Sequence, residues 1–258
     1  DKTSLSLDVR YAPHDEAALL AKFSDVAGEG KVSVVIWTTT PWTLPASQAV
    51  SVHPEFNYAL VEVDMGLGKE RLLVAEDMVE GLMTRYEATD YRIVGRSVGA
   101  DLDGTVLQHP FFERDIPVIL GEHVTTEAGT GCVHTAPDHG VDDFNVGRAN
   151  GLSTMNLVQD NGVYSEAAEQ FAGMHVYKVD GAILEALNSH NALVKESKIF
   201  HSYPHCWRTK TPLIFRATPQ WFISMTEEGL LDAAKHAVDG VKWVPSWGQN
   251  RMEGMLNN

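Results

Sequence analysis

Two short segments of this 258-residue sequence carry side chains that could do chemistry. The first is WTTTPWTLP, residues 37–45. Its three threonines end a β-branched run, and the proline that follows biases Thr40 away from the helical region. Hydroxyl and backbone groups at a strand end can bind a ribose, a carbonyl oxygen or a water molecule without adding net charge. A threonine-rich strand is also an ordinary structural feature, but this unusual string favours a polar pocket.

The second segment is GTGCVHTAPDHGVDDF, residues 129–144. Its glycines permit close backbone approach, a strand then delivers His134, and Asp142 and Asp143 begin a helix. Asp142 in that position could cap the helix. Asp143 faces another direction and is free to hold a cationic group such as an α-ammonium.

The role of His134 stays open at this point. With His139 and Asp142 it could form a metal site, although histidines five residues apart with Pro137 between them do not share a helix face. It could act as a general base. It could instead be a pocket wall whose bulk decides which side chain enters, and the residues alone do not rank the last two.

Alternating and β-branched runs predict a strand-rich domain around these segments. We expect a β-rich α+β fold with a closed or strongly curved sheet, a core over residues 1–222 and a C-terminal helical segment over 223–258. The predicted strands are 4–11, 32–39, 58–63, 71–75, 91–99, 106–111, 117–124, 131–135, 194–201 and 213–217. The predicted helices are 15–23, 76–86, 142–149, 179–187 and 227–237.

Composition excludes several classes of protein. No run of 18 apolar residues predicts a membrane span, and the N-terminus lacks the form of a signal peptide. Cys132 and Cys206 are too few for a disulfide scaffold or a four-cysteine zinc site. The formal charge of −15 argues against a free-standing, non-specific nucleic-acid binder. Only residues 191–222 are net positive, and this aromatic-rich stretch is either a strand pair with basic edges or a surface that contacts phosphates and bases.

The two segments resemble the inserted editing domain of isoleucyl-tRNA synthetases. Further stretches carry the resemblance, which covers essentially the whole chain: DKTSLSLDVRY at the start and HSYPHCWRTKTPLIFRATPQWFISM near residue 200. Related valyl and leucyl editing domains usually carry Thr-Thr-Arg-Pro where this chain has TTTPW, which favours the isoleucyl type. The sequence as a whole resembles bacterial members. The ATP-binding motifs of the full enzyme are absent. The resemblance therefore implies an excised, β-barrel-like editing domain with surrounding helices, whose residues 223–258 lead back toward the catalytic domain.

The resemblance also implies roles for particular residues. Thr38, Thr39 and Thr40 would hold the ester, the terminal adenosine and the attacking water. His134 would exclude isoleucine by size, and Asp143 would bind the substrate α-ammonium. Further contacts are expected from Thr43, Trp42, Ser47 and Tyr203. Ser47 stands where many members have asparagine, which weakens a direct role for its side chain.

The implied reaction is hydrolysis of Val-tRNA(Ile) and of valyl-adenylate, without a metal, a cofactor or a covalent intermediate. The expected partners are the 3′ end of the tRNA and the rest of the synthetase chain, in the cytoplasm. Three alternatives remain: a valyl-type domain that clears threonine, a metal hydrolase built on His134, and a non-catalytic tRNA-binding module.

Overall fold

The first 217 residues fold around two β-sheets. The computed structural model describes residues 1–66 and 68–257 and divides into two units, Asp1–Ala217 and Thr218–Asn258. The predicted boundary after residue 222 stays a prediction. The strands are β1 (Lys2–Tyr11), β2 (Lys31–Thr38), β3 (Ala49–Val52), β4 (Asn57–Asp64), β5 (Lys69–Ala75), β6 (Tyr91–Val98), β7 (Val106–Gln108), β8 (Asp115–Leu120), β9 (Cys132–Thr135) and β10 (Leu193–His201).

The larger sheet has the strand order β10-β1-β2-β5-β4-β6, in which only the β2–β5 pair is parallel. Successive side chains of a strand point to opposite faces, and both faces of this sheet are covered at its centre. Val34 and Ile36 of β2 belong to one apolar cluster, whereas Val35 between them belongs to the other. The second cluster is completed by the apolar side of a helix at residues 79–85.

The smaller sheet has the order β7-β8-β3-β9. β3 pairs in parallel with β8 and antiparallel with β9. The predicted α+β class is confirmed. Within the described residues the hydrogen-bonding order gives two sheets, so closure into a barrel stays a prediction.

In the described part of the chain, seven α-helices lie among the strands and in the second unit. They are α1 (Glu16–Leu20), α2 (Val79–Arg85), α3 (Gly99–Leu102), α4 (Val141–Ala149), α5 (Asp180–Ser189), α6 (Leu230–Asp239) and α7 (Gly248–Leu256). Short 3₁₀ helices cover Pro41–Ala46, Glu76–Met78, Glu166–Phe171, Val176–Lys178 and Glu227–Gly229. The second unit contains α6 and α7, which contact each other.

Several segments differ from the sequence expectation. The strand predicted over 213–217 is irregular because its backbone bonds to loops: Leu213 N–H donates to Pro204 O and Ala217 N–H donates to Asp138 O. β3 was not predicted, because its four residues are all buried and show no alternation. The helix α7 was also not predicted, since two glycines lower its helical propensity.

Candidate active site

A cleft of about 500 Å³ lies where β2 ends beside β9 and the start of α4. Both segments singled out by sequence reach it. Eight of the nine predicted site residues line this cleft: Thr38, Thr39, Thr40, Trp42, Thr43, His134, Asp143 and Tyr203. The tertiary structure therefore gathers side chains that are up to 165 positions apart in the sequence into one cleft.

The ninth predicted residue, Ser47, does not line the cleft. Its side chain is fully buried and accepts a hydrogen bond from the Tyr11 hydroxyl at 3.2 Å. Ser47 follows the 3₁₀ helix Pro41–Ala46, and its backbone N–H donates to Leu44 O. The position supports the turn behind the cleft and offers nothing to a ligand inside it.

The three threonines are not equivalent. Thr38 Oγ1 accepts from the Thr40 backbone N–H at 3.0 Å, which shapes the turn before Pro41. Among the described residues, the hydroxyls of Thr39 and Thr40 have no hydrogen-bond partner. These two hydroxyls are therefore the ones left to hold a ligand or a water molecule in the cleft.

The hydrogen bonds of His134 assign its tautomer. Thr43 Oγ1 lies 2.8 Å from Thr40 O, to which it donates, and 3.2 Å from His134 Nε2. Because the Thr43 proton goes to Thr40, the hydroxyl accepts from Nε2–H of His134. The other ring nitrogen, Nδ1, then carries a lone pair, and it is buried with no partner in the described residues.

His134 is only 7% exposed, and burial lowers its pKa to about 4, against the opposing influence of the Asp143 carboxylate. The ring is therefore neutral at pH 7. A general base works best when its pKa lies near the operating pH. The low pKa thus favours the pocket-wall role over the general-base role.

Asp143 has one carboxylate oxygen engaged and one free. Oδ1 accepts from the Ala136 backbone N–H at 2.9 Å. Oδ2 lies close against Gly140, where any Cβ would overlap it, and has no hydrogen-bond partner in the described residues. The alternative capping role of Asp142 is wrong: Gly140 is the N-cap, no side chain caps α4, and Asp142 is exposed.

The loop between β9 and α4 is held by buried contacts. Asp138 is 3% exposed, and its Oδ2 accepts from the Met155 backbone N–H. His139 Nδ1 lies 2.9 Å from Phe215 O, and its ring meets the Trp42 ring edge-on at 5.0 Å. Burial lowers the pKa of His139. In the part of the chain that the structure describes, no three His, Cys, Asp or Glu side chains gather as a metal site.

Sequence reasoning missed several residues that line the cleft, including Trp37, Thr130 and Phe215. His139 was considered only as a metal ligand. Trp37 and Thr130 lie inside the two segments, so their positions could have indicated them. Phe215 lies in the aromatic-rich stretch 191–222, but the irregular path of residues 213–217 is what brings it to the cleft, and no local pattern predicts that path.

Comparison with known proteins gives the context of this site. Residues 7–258 match the family described as tRNA synthetases class I (I, L, M and V). The chain belongs to the class I tRNA synthetase family. It is 86% identical over 258 residues to the isoleucine–tRNA ligase of Marinomonas sp. (strain MWYL1), and 59% identical over 256 residues to that of Teredinibacter turnerae. The two matches cover 100% and 99% of this chain, but the chain spans only 27% of the length of each relative.

Solved structures of class I synthetase domains share the fold. The editing domain of the P. knowlesi cytosolic leucyl-tRNA synthetase gives a TM-score of 0.57 at 12% identity, over 74% of this chain and 96% of that one. The corresponding P. falciparum domain gives 0.56 at 9% identity, over 73% and 98%. No helix among the described residues is long and apolar enough to cross a membrane.

Proposed function

We propose that this chain is the proofreading domain of an isoleucyl-tRNA synthetase and hydrolyses Val-tRNA(Ile) and valyl-adenylate. Its partners would be the 3′ end of the tRNA and the rest of the synthetase, acting in the cytoplasm. One methylene separates valine from isoleucine and is worth about 1–3 kcal/mol of discrimination, a figure established for this enzyme class. A second, smaller site that removes valine corrects the errors of the first.

One observation carries the proposal. A single cleft combines two free threonine hydroxyls, a neutral buried histidine and a carboxylate with one free oxygen. An aminoacyl ester offers the matching groups: a polar ester and ribose, an aliphatic side chain and an α-ammonium. The match to isoleucine–tRNA ligases and the fold shared with leucyl editing domains support the same reaction.

Asp143 would bind the α-ammonium through Oδ2 as a charge-assisted hydrogen bond. His134 would face the amino-acid side chain and leave no room for the extra methylene of isoleucine. Thr39 and Thr40 would position the ester and a water molecule. Water then attacks the carbonyl carbon, the bond to the ribose oxygen breaks, and the ribose hydroxyl leaves with a proton, so positioning supplies most of the acceleration.

Deacylation of Val-tRNA(Ile) by Asp143→Ala tests the proposal. We expect a loss of at least 100-fold in rate, on the order of the roughly 3 kcal/mol of a buried charged contact. Asp142→Ala is the matched control, because the exposed neighbour on the same turn should leave the rate unchanged. A thermal melt separates lost chemistry from lost folding, since Asp143 also accepts from Ala136 N–H.

The same assay separates the alternatives. Unchanged deacylation by Asp143→Ala would contradict the ammonium role. Faster hydrolysis of Thr-tRNA than of Val-tRNA would indicate a valyl-type domain, and loss of activity with a chelator would indicate a metal hydrolase. Binding of mischarged tRNA without hydrolysis would indicate a non-catalytic tRNA-binding module.

A further inference from the structure

Trp37 lines the candidate active site, but the proposed hydrolysis gives its side chain no role. The residue is half-buried near the end of β2, directly before the three threonines. Gly129 of the second polar segment lies against its ring, because a Cβ at that position would be 3.4 Å from Trp37 Cε3. The indole therefore lies where the two polar segments meet, and its orientation affects the shape of the cleft.

Two further neighbours hold the indole of Trp37 in place. Its Nε1–H donates a hydrogen bond to Ser6 Oγ, a buried hydroxyl of β1, at 2.6 Å. The guanidinium of Arg85 lies over the ring, with Cζ 6.0 Å from the ring centroid. The face of an indole attracts a cation placed at this distance. The hydrogen bond fixes the edge of the ring, and the guanidinium covers one face.

Arg85 is itself held by a buried carboxylate. It is the last residue of α2, and its Nη2 donates to Asp8 Oδ1 at 2.5 Å. Tyr86 OH donates to the same oxygen at 2.9 Å. Asp8 is fully buried, and the β1–β2 register places it opposite Trp37, so both side chains lie on the same face of the sheet. The ion pair therefore links α2 to a wall of the cleft.

The ion pair of Asp8 and Arg85 is incompletely satisfied. Asp8 Oδ2 and Arg85 Nε are buried and have no hydrogen-bond partner among the described residues. Burial of polar atoms without partners costs free energy, and apolar side chains of similar volume often stabilise a fold as well as a buried ion pair does. This cost favours a positioning role for the pair over a purely stabilising one.

We propose that Asp8 and Arg85 are positioning residues for the candidate active site, which hold the Trp37 indole in one orientation before a substrate binds. The proposal rests on the proposed function, because it takes that substrate to be an aminoacyl-adenosine. A wall that is already ordered loses no side-chain entropy when a ligand binds, whereas a mobile wall does. The ion pair should therefore contribute to affinity and leave the hydrolytic step almost unchanged.

The charge of Asp8 makes this positioning dependent on pH. Burial, chiefly, raises the pKa of Asp8 to about 6, against the opposing influence of Arg85 and Tyr86. Asp8 therefore takes up a proton as the pH falls from 7.5 to 5, and Arg85 loses its anionic partner. The other charged side chains that flank Asp8 form two separate ion pairs, Lys195 with Glu87 and Arg10 with Glu70.

The order of the indole is measured directly in the first test. The near-ultraviolet circular dichroism of Trp37 is obtained by subtracting the spectrum of the corresponding Trp37→Phe protein. We expect Arg85→Gln and the isosteric Asp8→Asn to lose about half of this signal or more, because the ring face loses its cation. Arg10→Gln is the matched control, since Arg10 bonds to Glu70 and Leu193 O and should leave the signal intact. Thermal melts confirm that each variant is folded.

The second test measures affinity for an amide analogue of valyl-adenosine by titration calorimetry. At pH 7.5 we expect Arg85→Gln and Asp8→Asn to raise its dissociation constant about fivefold, the cost of ordering one side chain. The single-turnover rate of Val-tRNA(Ile) deacylation at saturating protein should fall less than about twofold, because the reacting groups are unchanged. At pH 5 the difference in affinity between the parent and Asp8→Asn should shrink to less than about twofold.

Several results would overturn the proposal. They are an unchanged Trp37 signal or dissociation constant in folded Arg85→Gln and Asp8→Asn, an equal effect of Arg10→Gln, and a difference between parent and Asp8→Asn that persists at pH 5. Failure of the proposed function has another signature, because the valyl probe would then not bind to the parent. The Trp37 signal needs no ligand, so it would still show whether the ion pair orders the indole.

Discussion

At the residue scale, the polar groups of the cleft divide into those used by the protein and those left for a ligand. Thr38 and Thr43 are hydrogen-bonded within their own turn, whereas Thr39 and Thr40 have free hydroxyls. Asp143 Oδ1 accepts from the Ala136 backbone N–H, whereas Oδ2 has no hydrogen-bond partner among the described residues. A residue type alone does not predict this division, because it depends on which partners the fold brings within reach.

We propose that the His134 ring sets the size limit of the cleft, and His134→Ala tests this role. Removing the ring enlarges the cleft, so we expect Ile-tRNA(Ile) to become a substrate while hydrolysis of Val-tRNA(Ile) falls less than tenfold. Single-turnover deacylation of both substrates measures the change. If the variant still does not hydrolyse Ile-tRNA(Ile), another residue lining the cleft sets the size limit.

Two substitutions of Thr43 test whether its hydroxyl orients the His134 ring. Thr43→Val keeps the shape of the side chain but removes the hydroxyl that accepts from His134 Nε2, so the ring loses its orientation and discrimination should weaken. Thr43→Ser keeps the hydroxyl and should retain discrimination. Equal behaviour of the two variants would contradict the positioning role.

At the element scale, the 3₁₀ helix Pro41–Ala46 is held by side chains from distant segments. Tyr164 OH donates to Trp42 O, His109 Nε2–H donates to Leu44 O at 2.9 Å, and Arg114 donates to Pro45 O at 2.8 Å. Helix ends leave carbonyl groups without internal partners. These three donors bind the carbonyls, of which Leu44 O also accepts from the Ser47 backbone N–H, and they fix the turn that carries the threonines.

His109 makes this support sensitive to acid. Burial, chiefly, lowers its pKa from 6.5 to about 3, and Nδ1 accepts from the Phe112 backbone N–H at 3.2 Å. Between pH 6.5 and 3 the unfolded chain binds a proton that the folded chain does not. The free energy of unfolding therefore falls as the pH drops, with a contribution from His109 of about 2 kcal/mol between pH 6.5 and 5.

Other buried groups titrate in the same range, so a variant isolates this contribution. His134 acts in the same direction as His109, whereas burial raises the pKa of Asp8 to about 6 and opposes it. His109→Gln should be less stable than the parent at pH 7, and the difference should shrink at pH 5. Urea unfolding at both pH values measures it, and a constant difference would contradict the assignment.

The entry to β9 depends on Gly131. Its φ of +75° is disfavoured for other residues, and any Cβ there would overlap the Ala75 side chain on β5. Gly131→Ala should lower the free energy of unfolding by about 3 kcal/mol. Gly151→Ala has the same backbone strain, with φ of +74°, but open space around it, so it should cost only about 1 kcal/mol. Equal losses would show that crowding at Ala75 is unimportant.

At the scale of the whole molecule, the charge of −15 limits what the chain binds by itself. Affinity for RNA phosphates depends on Lys and Arg, and the chain has only 20 of these against 35 acidic residues. We expect uncharged tRNA to bind with a dissociation constant above about 10⁻⁵ M at physiological salt, in the range of non-specific binding. Filter binding over a salt series measures it, and tight binding at 150 mM salt would contradict the view that the rest of a synthetase holds the tRNA.

The sequence by itself determined the kinds of chemistry and most of the strands. Period-two patterns and β-branched runs are local signals, so nine of the ten strands were predicted near their observed bounds, and the two segments with polar groups were recognised from spacing alone. The same local logic failed for β3, which is buried on both faces, and for 213–217, whose backbone bonds to loops.

Only the tertiary structure decided which of those residues act together. The hydrogen bond between Thr43 and His134 joins residues 91 positions apart, and that between Tyr164 and Trp42 joins residues 122 apart. The first contact sets the tautomer of His134, burial keeps its ring neutral, and the hydrogen bond from Tyr11 holds Ser47 outside the cleft. Burial and hydrogen-bond partners depend on the packing of the whole unit, so no local pattern could have determined them.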